Sequence, residues 1–346
     1  MRRLLNTLYV TLDGAYVRKD GLNVVVELDG VEKLRVPVHL LGSVAVFGRV
    51  SLSPALMGSL AEAGVVCAFF GMNGRFLARV EGPVSGNVLL RREQYRRMDE
   101  PSACVAIARS MVAAKALNQR GVLQRALRDH GAGLAADAQT ALADAVERMQ
   151  HIARRALHET DLDRLRGHEG EAASQYFGVF AHLLRAPDPA LTFRGRSRRP
   201  PMDPVNALLS FVYTLLVHDC RGALEGVGLD PAAGFLHRLR PGRPSLALDL
   251  MEDLRAHLAD RLALSLLNRR ELGMGDFRVM ENGAVLLTED GRKAVLAAWQ
   301  ERKREEIEHP FLNERAPLGL LPHLQASLLA RALRGDLDAY PAMIWK

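Results

Sequence analysis

The sequence predicts an α+β protein, with a small β-rich region over residues 1–85 followed by a larger, mostly α-helical region over residues 86–346. Three observations carry that expectation. Asp13-Gly14, Asp20-Gly21, Asp29-Gly30 and Asn73-Gly74 punctuate the first 80 residues, between β-prone runs such as Leu8-Tyr9-Val10 and Val24-Val25-Val26. These dipeptides accept the positive φ angles of tight hairpin turns, so antiparallel strands are expected there. The segment from Glu81 to Asn87 then concentrates breakers, and beyond it apolar residues recur at helical spacing.

Taken in order, Ser53 caps a short helix running to Ala63, and Val65 to Phe70 resumes a strand. Ile107, Met111 and Ala114 mark one helix, and Val146, Met149, Ile152, Ala153 and Ala156 another. A helix running through Tyr176 is expected just after Gly170, and Asp203-Pro204 opens a further one. Between Phe277 and Val295, Glu281-Asn282-Gly283 and Glu289-Asp290-Gly291-Arg292 bracket Ala284 to Leu287, which predicts a small hairpin among helices.

The composition, 48% hydrophobic and 25% charged over 346 residues, excludes disorder, collagen and coiled coil as accounts of the whole chain. The net charge of +6 hints at a polyanionic partner. Only six of the 46 basic residues are Lys, leaving 40 Arg, which bind phosphate bidentately, although GC-rich codon usage explains such a bias equally well. Cys67, Cys104 and Cys220 form neither a disulfide framework nor a zinc-finger pattern. The apolar run Ala207 to Val217 is 11 residues long, short of the roughly 20 that span a bilayer. No signal core opens the chain, so a cytoplasmic protein without membrane contact is expected.

Three segments hold residues suited to chemistry. Gly167-His168-Glu169-Gly170 sets an acid between glycines, which leaves room for a ligand to approach. Pro189 to Met202 carries Arg194, Arg196, Arg198 and Arg199 with no acid, and Pro231 to Leu248 carries His237, Arg238, Arg240 and Arg243, again with none. Asp249, Glu252 and Asp253 follow at i, i+3 and i+4, which on a helix puts three carboxylates on one face. Such a face is either solvated or shared with a cation. With a loop His just upstream and a further acid at Glu169, it makes an oxygen and nitrogen donor set suited to Mg²⁺ or Mn²⁺. Acids and a His for a divalent metal, beside Arg-rich segments for phosphates, together point to a nucleic-acid phosphodiester enzyme.

The ordered motifs resemble the CRISPR-associated spacer-acquisition integrase family, the core adaptation protein of CRISPR systems. The matching residues are Gly167 to Gly170 with Ala172-Ala173 and Tyr176-Phe177, the R-x-R-x-x-P-x-x-D-P-x-N-A-L-L-S run from Arg196 to Ser210, and His237 followed by D-L-M-E-D-L-R at Asp249 to Arg255. Lys115 and Asn118 are weaker matches. The resemblance implies an N-terminal dimerisation domain and a helical catalytic domain. It also implies metal ligands at Glu169, His237 and Glu252, with Asp249 near them, and Mg²⁺ or Mn²⁺ as the ion. The implied reaction inserts a short foreign DNA fragment into a CRISPR array, by attack of its 3′-hydroxyl on a repeat-boundary phosphodiester. The implied partners are double-stranded DNA, a second copy of the chain and a small ferredoxin-fold CRISPR-associated protein. A repair nuclease acting on branched DNA is the alternative enzyme, and a non-catalytic DNA-binding scaffold the alternative outside enzymes. The dimer is expected through residues 1–80, with Val44, Val46, Phe47, Phe69 and Phe70 as candidates for its apolar surface and burial in the β core expected for about half of them.

Overall fold

The computed structural model describes residues 7–72, 76–80, 82, 88–185, 191–198 and 200–345. Eight strands occupy the first 80 residues: β1 (Thr7–Val10), β2 (Tyr16–Asp20), β3 (Asn23–Leu28), β4 (Val31–Pro37), β5 (Ser43–Phe47), β6 (Ser51–Leu52), β7 (Val66–Phe70) and β8 (Phe76–Val80). They form two sheets, an inner one in the order β1-β5-β7-β8 and an outer one in the order β4-β3-β2-β6. The pairing is mixed, not purely antiparallel as the turn dipeptides suggested. β1 runs parallel to β5, β5 to β7 and β2 to β6. Asp20-Gly21 and Asp29-Gly30 do close the antiparallel hairpins of β2, β3 and β4, with Asp29 and Gly30 both at positive φ. Asp13-Gly14 instead carries the chain from one sheet to the other, held by Arg49 on the Asp13 carboxylate. Asn73-Gly74 lies outside the described residues.

Side chains on the inner sheet alternate between two cores, as a strand's period of two requires. Val44, Val46 and Cys67 face the outer sheet, in a cluster with Val17, Val24, Val26, Leu56 and Leu60. Ala45, Phe47, Ala68 and Phe70 face the helices, where Phe47 lies 6.3 Å from Phe211 and Phe70 lies 5.4 Å from His218 between ring centroids. Val44, Val46, Phe47 and Phe70 are therefore buried within the chain and cannot supply dimer surface, because both faces of their sheet are covered. Among the described residues of this region, Tyr16, Leu22, Val31 and Leu34 are exposed on the strands and turns of the outer sheet, and Leu77 is exposed on β8 at the edge of the inner one. Helix α1 (Pro54–Glu62) joins β6 to β7, with the Ser53 hydroxyl accepting the N–H of Leu56.

From Val88 the chain is mostly helical: α2 (Val88–Asp99), α3 (Pro101–His130), α4 (Ala136–His158), α5 (Leu162–Gly178), α6 (Pro204–Gly226), α7 (Ser245–Met251), α8 (Arg261–Asn268), α9 (Glu289–Arg304) and α10 (Leu321–Arg334). The expected boundary at Glu81 to Asn87 lies almost wholly outside the described residues. Asp203 opens α6 by accepting the N–H of Asn206, with Pro204 in the first helical position. α6 is long and apolar enough to cross a bilayer, but most of its residues are buried in the core of this chain. The hairpin of β9 (Phe277–Val279) and β10 (Val285–Leu287) is present, whereas Glu289 to Arg292 is no turn. Thr288 accepts the N–H of Gly291 there and starts α9.

Candidate active site

α5 begins at Leu162, eight residues before Gly170, so Glu169 projects from mid-helix toward α3. There its carboxylate accepts from the ammonium of Lys115. The same ammonium lies 2.7 Å from Oε2 of Glu252. Lys115 is 1% exposed and Glu252 3% exposed, so the two glutamates share one cation with little water between them. Arg255 Nη1 reaches Glu252 Oε1 at 3.1 Å from the other side, and its guanidinium stacks over the Tyr213 ring at 4.4 Å. Burial pushes the Glu252 carboxyl up, but the charges of Lys115, Arg255 and His237 outweigh it and hold the group well below the usual carboxylate range.

His237 leads the loop before α7. Its Nδ1 is 2.6 Å from Asp249 Oδ1, and that oxygen also accepts the backbone N–H of His237 at 2.9 Å. Asp249 Oδ2 accepts the N–H groups of Phe235 at 2.6 Å and Leu236 at 3.0 Å. All of the acceptor capacity of this fully buried carboxylate is thus turned toward the loop, and the imidazole presents Nε2 outward. A Cβ on Gly234 would stand 2.7 Å from Asp249 Oδ2, which is why glycine occupies that position.

Asp249, Glu252 and Asp253 do not share one solvated face. α7 ends at Met251, and the chain passes through an irregular turn before a π turn over Ala256–Asp260. The break sends Asp249 to the His237 loop, Glu252 to Lys115 and Arg255, and Asp253 away from both. Asp249, expected near the ligands, is placed behind His237 instead, because its oxygens are consumed by four N–H groups. Among the described residues no three His, Cys, Asp or Glu side chains converge closely enough to hold an ion, since the ammonium of Lys115 stands between the two glutamates.

The Arg segments divide. Arg194, Arg198, Arg238 and Arg240 are exposed, Arg238 with a 3.1 Å ion pair to Asp163, whereas Arg243 is partly buried. Arg196 is not a surface group. Its Nη1 bonds Asn206 Oδ1 at 2.6 Å and it stacks over Tyr213 at 5.2 Å, while burial lowers its pKa to about 10. Arg199 lies outside the described residues. Lys115 had only its faint place in the motif pattern to signal it. A stronger sign was available, since it is a lone Lys in the Ala-rich stretch Val112 to Ala116 of a chain that otherwise favours Arg.

Comparison with known proteins places this geometry. The family model described as CRISPR associated protein Cas1 matches residues 8–301. The chain belongs to the Cas1 family. It is 62% identical over 347 residues to CRISPR-associated endonuclease Cas1 2 of Rhodospirillum rubrum, and 51% identical over 351 residues to CRISPR-associated endonuclease Cas1 1 of Chlorobaculum tepidum, each alignment covering 100% of both proteins. A solved Cas1 protein from Thermotoga maritima superposes with a TM-score of 0.81 at 21% identity, over 95% of this chain and 97% of that one. A casposase bound to integration product gives a TM-score of 0.81 at 21% identity, over 99% of this chain and 94% of that one. These two structures establish the Cas1 fold here, a strand-rich region followed by a mostly helical one.

Proposed function

We propose that this Cas1 chain is a divalent-metal-dependent DNA integrase and endonuclease that inserts short foreign fragments as new spacers into a CRISPR array. The observation that carries the reading is the pair of glutamates, Glu169 of α5 and Glu252 of the turn after α7, brought onto one cation, with His237, oriented by a buried carboxylate, near enough to influence Glu252. Two carboxylates and such an imidazole are a donor set suited to Mg²⁺ or Mn²⁺, with Asp249 as the outer partner that fixes the ring. The pairing with Lys115 shows that the glutamates accept a shared positive charge. With the Lys115 ammonium displaced from between the glutamates, Glu169, Glu252 and His237 Nε2 would hold the ion, which would polarise the scissile phosphate and neutralise charge on the leaving oxygen.

The rest of the work falls to the chain's own groups. Arg255 and Lys115 keep Glu252 ionised, and Asp249 keeps Nε2 of His237 aimed outward. Arg194, Arg198, Arg238, Arg240 and Arg243 are the groups proposed to contact phosphates along the DNA. The nucleophile belongs to the DNA: a fragment's 3′-hydroxyl gives up its proton and bonds to phosphorus, and the displaced 3′-oxygen of the nucleotide flanking the repeat takes up a proton. The enzyme therefore contributes positioning and charge, with no covalent intermediate of its own.

Assembly follows the same reading. The exposed outer sheet, with Tyr16, Leu22, Val31 and Leu34, suits a two-fold homodimer. One neighbour in fold is a complex of Cas6-RT-Cas1 with Cas2, and a small ferredoxin-fold partner bridging two dimers is proposed here as well. The test incubates a labelled duplex fragment bearing 3′-hydroxyls with a repeat-containing plasmid, the partner protein and Mg²⁺ or Mn²⁺. Joined product that disappears with 3′-deoxy ends or EDTA is expected. Cleavage without joining would replace the reading by a repair nuclease, and binding without turnover by a DNA scaffold.

A further inference from the structure

The segment Tyr340–Trp345 is bound to the two helical elements that carry Lys115 and Glu252, at the residues next to them. Asn118 sits one turn after Lys115 on α3, and Asp253 directly follows Glu252. The main-chain N–H of Met343 donates to Asp253 Oδ2 at 2.9 Å, and the Met343 carbonyl accepts from Asn118 Nδ2 at 2.7 Å. One residue thus staples both elements. Tyr340 donates its hydroxyl to Asp253 Oδ2 at 2.9 Å, and Trp345 donates its N–H to Asn118 Oδ1 at 2.9 Å. The Trp345 indole stacks on His257 with centroids 4.3 Å apart and planes 6° from parallel.

The location of these bonds gives them a role. Glu252 and Asp253 lie where the regular helix is interrupted, so the local i→i−4 ladder does not fix them: Glu252 and Leu254 donate instead to carbonyls three residues back. The carbonyl of Asp253, freed by that break, accepts Asn118 Nδ2 at 2.7 Å. In place of the ladder, Asn118 holds this stretch by the Asp253 carbonyl, and Met343, Tyr340 and Gln325 hold it by the Asp253 carboxylate. Irregular turns of this kind recur at functional sites because they aim a side chain that a straight helix would misdirect.

We infer that Tyr340–Trp345 is a positioning element of the active site, which sets the placement of Glu252 against Lys115 from behind without touching DNA. The inference rests on the proposed integrase reading for its activity readout. The test compares the full chain, a chain ending at Asp338, and Tyr340→Phe, on branched DNA with Mn²⁺. In parallel, amide hydrogen exchange is followed over residues 112–118 and 250–256 without metal or DNA. The truncated chain should show kcat at least tenfold lower with KM within twofold, and faster exchange confined to those two stretches. Tyr340→Phe should lie between the two. A synthetic peptide of residues 339–346 added in trans should restore both rate and protection. Wild-type kcat or unchanged exchange in the truncated chain would overturn the inference. So would loss of protection throughout the chain with no rescue by peptide and full activity in Tyr340→Phe. A full-length chain with no turnover would instead refute the integrase reading, and the exchange and peptide arms would still decide the role of the segment.

Discussion

Replacing Asp249 by Asn isolates the group that aims His237. The carboxylate accepts four N–H donors, three from the backbone of residues 235–237 and one from the imidazole, at 2.6 to 3.0 Å. An Asn keeps one oxygen, so two of the four contacts become donor against donor around a fully buried side chain. Hydrogen bonds to a charged acceptor contribute about 1.5–3 kcal/mol each, which puts the gross loss at about 3–6 kcal/mol. Relaxation of the exposed part of the loop returns some of this, and a net destabilisation of about 3 kcal/mol is expected. The imidazole loses its fixed orientation at the same time, and loss of such an outer partner typically costs 10–100-fold in metal affinity or activity. The assay is the rate of branched-DNA cleavage as Mn²⁺ is titrated, with DNA affinity in EDTA as control. The half-saturating Mn²⁺ concentration should rise roughly 10–100-fold while DNA affinity stays within twofold. A variant that loses stability as calculated but keeps the wild-type metal curve would show that Asp249 only ties down a loop.

Lys115→Met removes the cation between Glu169 and Glu252 and leaves two carboxylates facing each other. Breaking such a buried pair costs about 3–5 kcal/mol, and Mg²⁺ should raise the melting temperature of this variant more than that of the wild type; an equal rise would count against a shared cation site. Arg194→Ala, Arg198→Ala and Arg240→Ala should each lower the salt slope of DNA binding by about one. Arg196→Ala should leave that slope unchanged and reduce stability, since its guanidinium is spent on Asn206 and Ser210. His218 is buried against Phe70, and burial lowers its pKa to about 4 from 6.5. The unfolded chain therefore takes up the proton first. Stability is fully present above pH 6.5 and falls as pH drops toward 4, with a contribution of about 2 kcal/mol lost by pH 5. In denaturant titrations between pH 7 and 5 the wild type should lose about 2 kcal/mol more stability than His218→Leu, a difference from which buried His257 and Asp253, present in both, cancel.

Much of this was legible in the sequence, and what was not has a physical cause. Turn dipeptides at Asp20 and Asp29 marked real hairpins because positive φ is a local property. The same chemistry at Asp13 served a crossing between sheets, since strand partners such as β1 and β5 are chosen by burial over 30 residues away. Glu169, His237 and Glu252 could be named from spacing and resemblance, but the different fates of Asp249, Glu252 and Asp253 could not. A regular helix would have put all three together, and the break after Met251 depends on contacts from Asn118 and Met343, 135 and 90 residues from Asp253. Arg196 looked like its neighbours in sequence and differs only because Asn206, Ser210 and Tyr213 close around it.

The alternation of β5 and β7 limits how this protein can be taken apart. Every second side chain of the inner sheet belongs to the same apolar body as α6, and the intervening ones belong to the outer sheet. A cut near residue 80 would strip Phe47 and Phe70 from α6, leaving Phe211 and His218 to face water. The strand-rich region is thus a lid on the helical core, and exchanging it between relatives as a self-contained cassette should fail unless the α6 face travels with it.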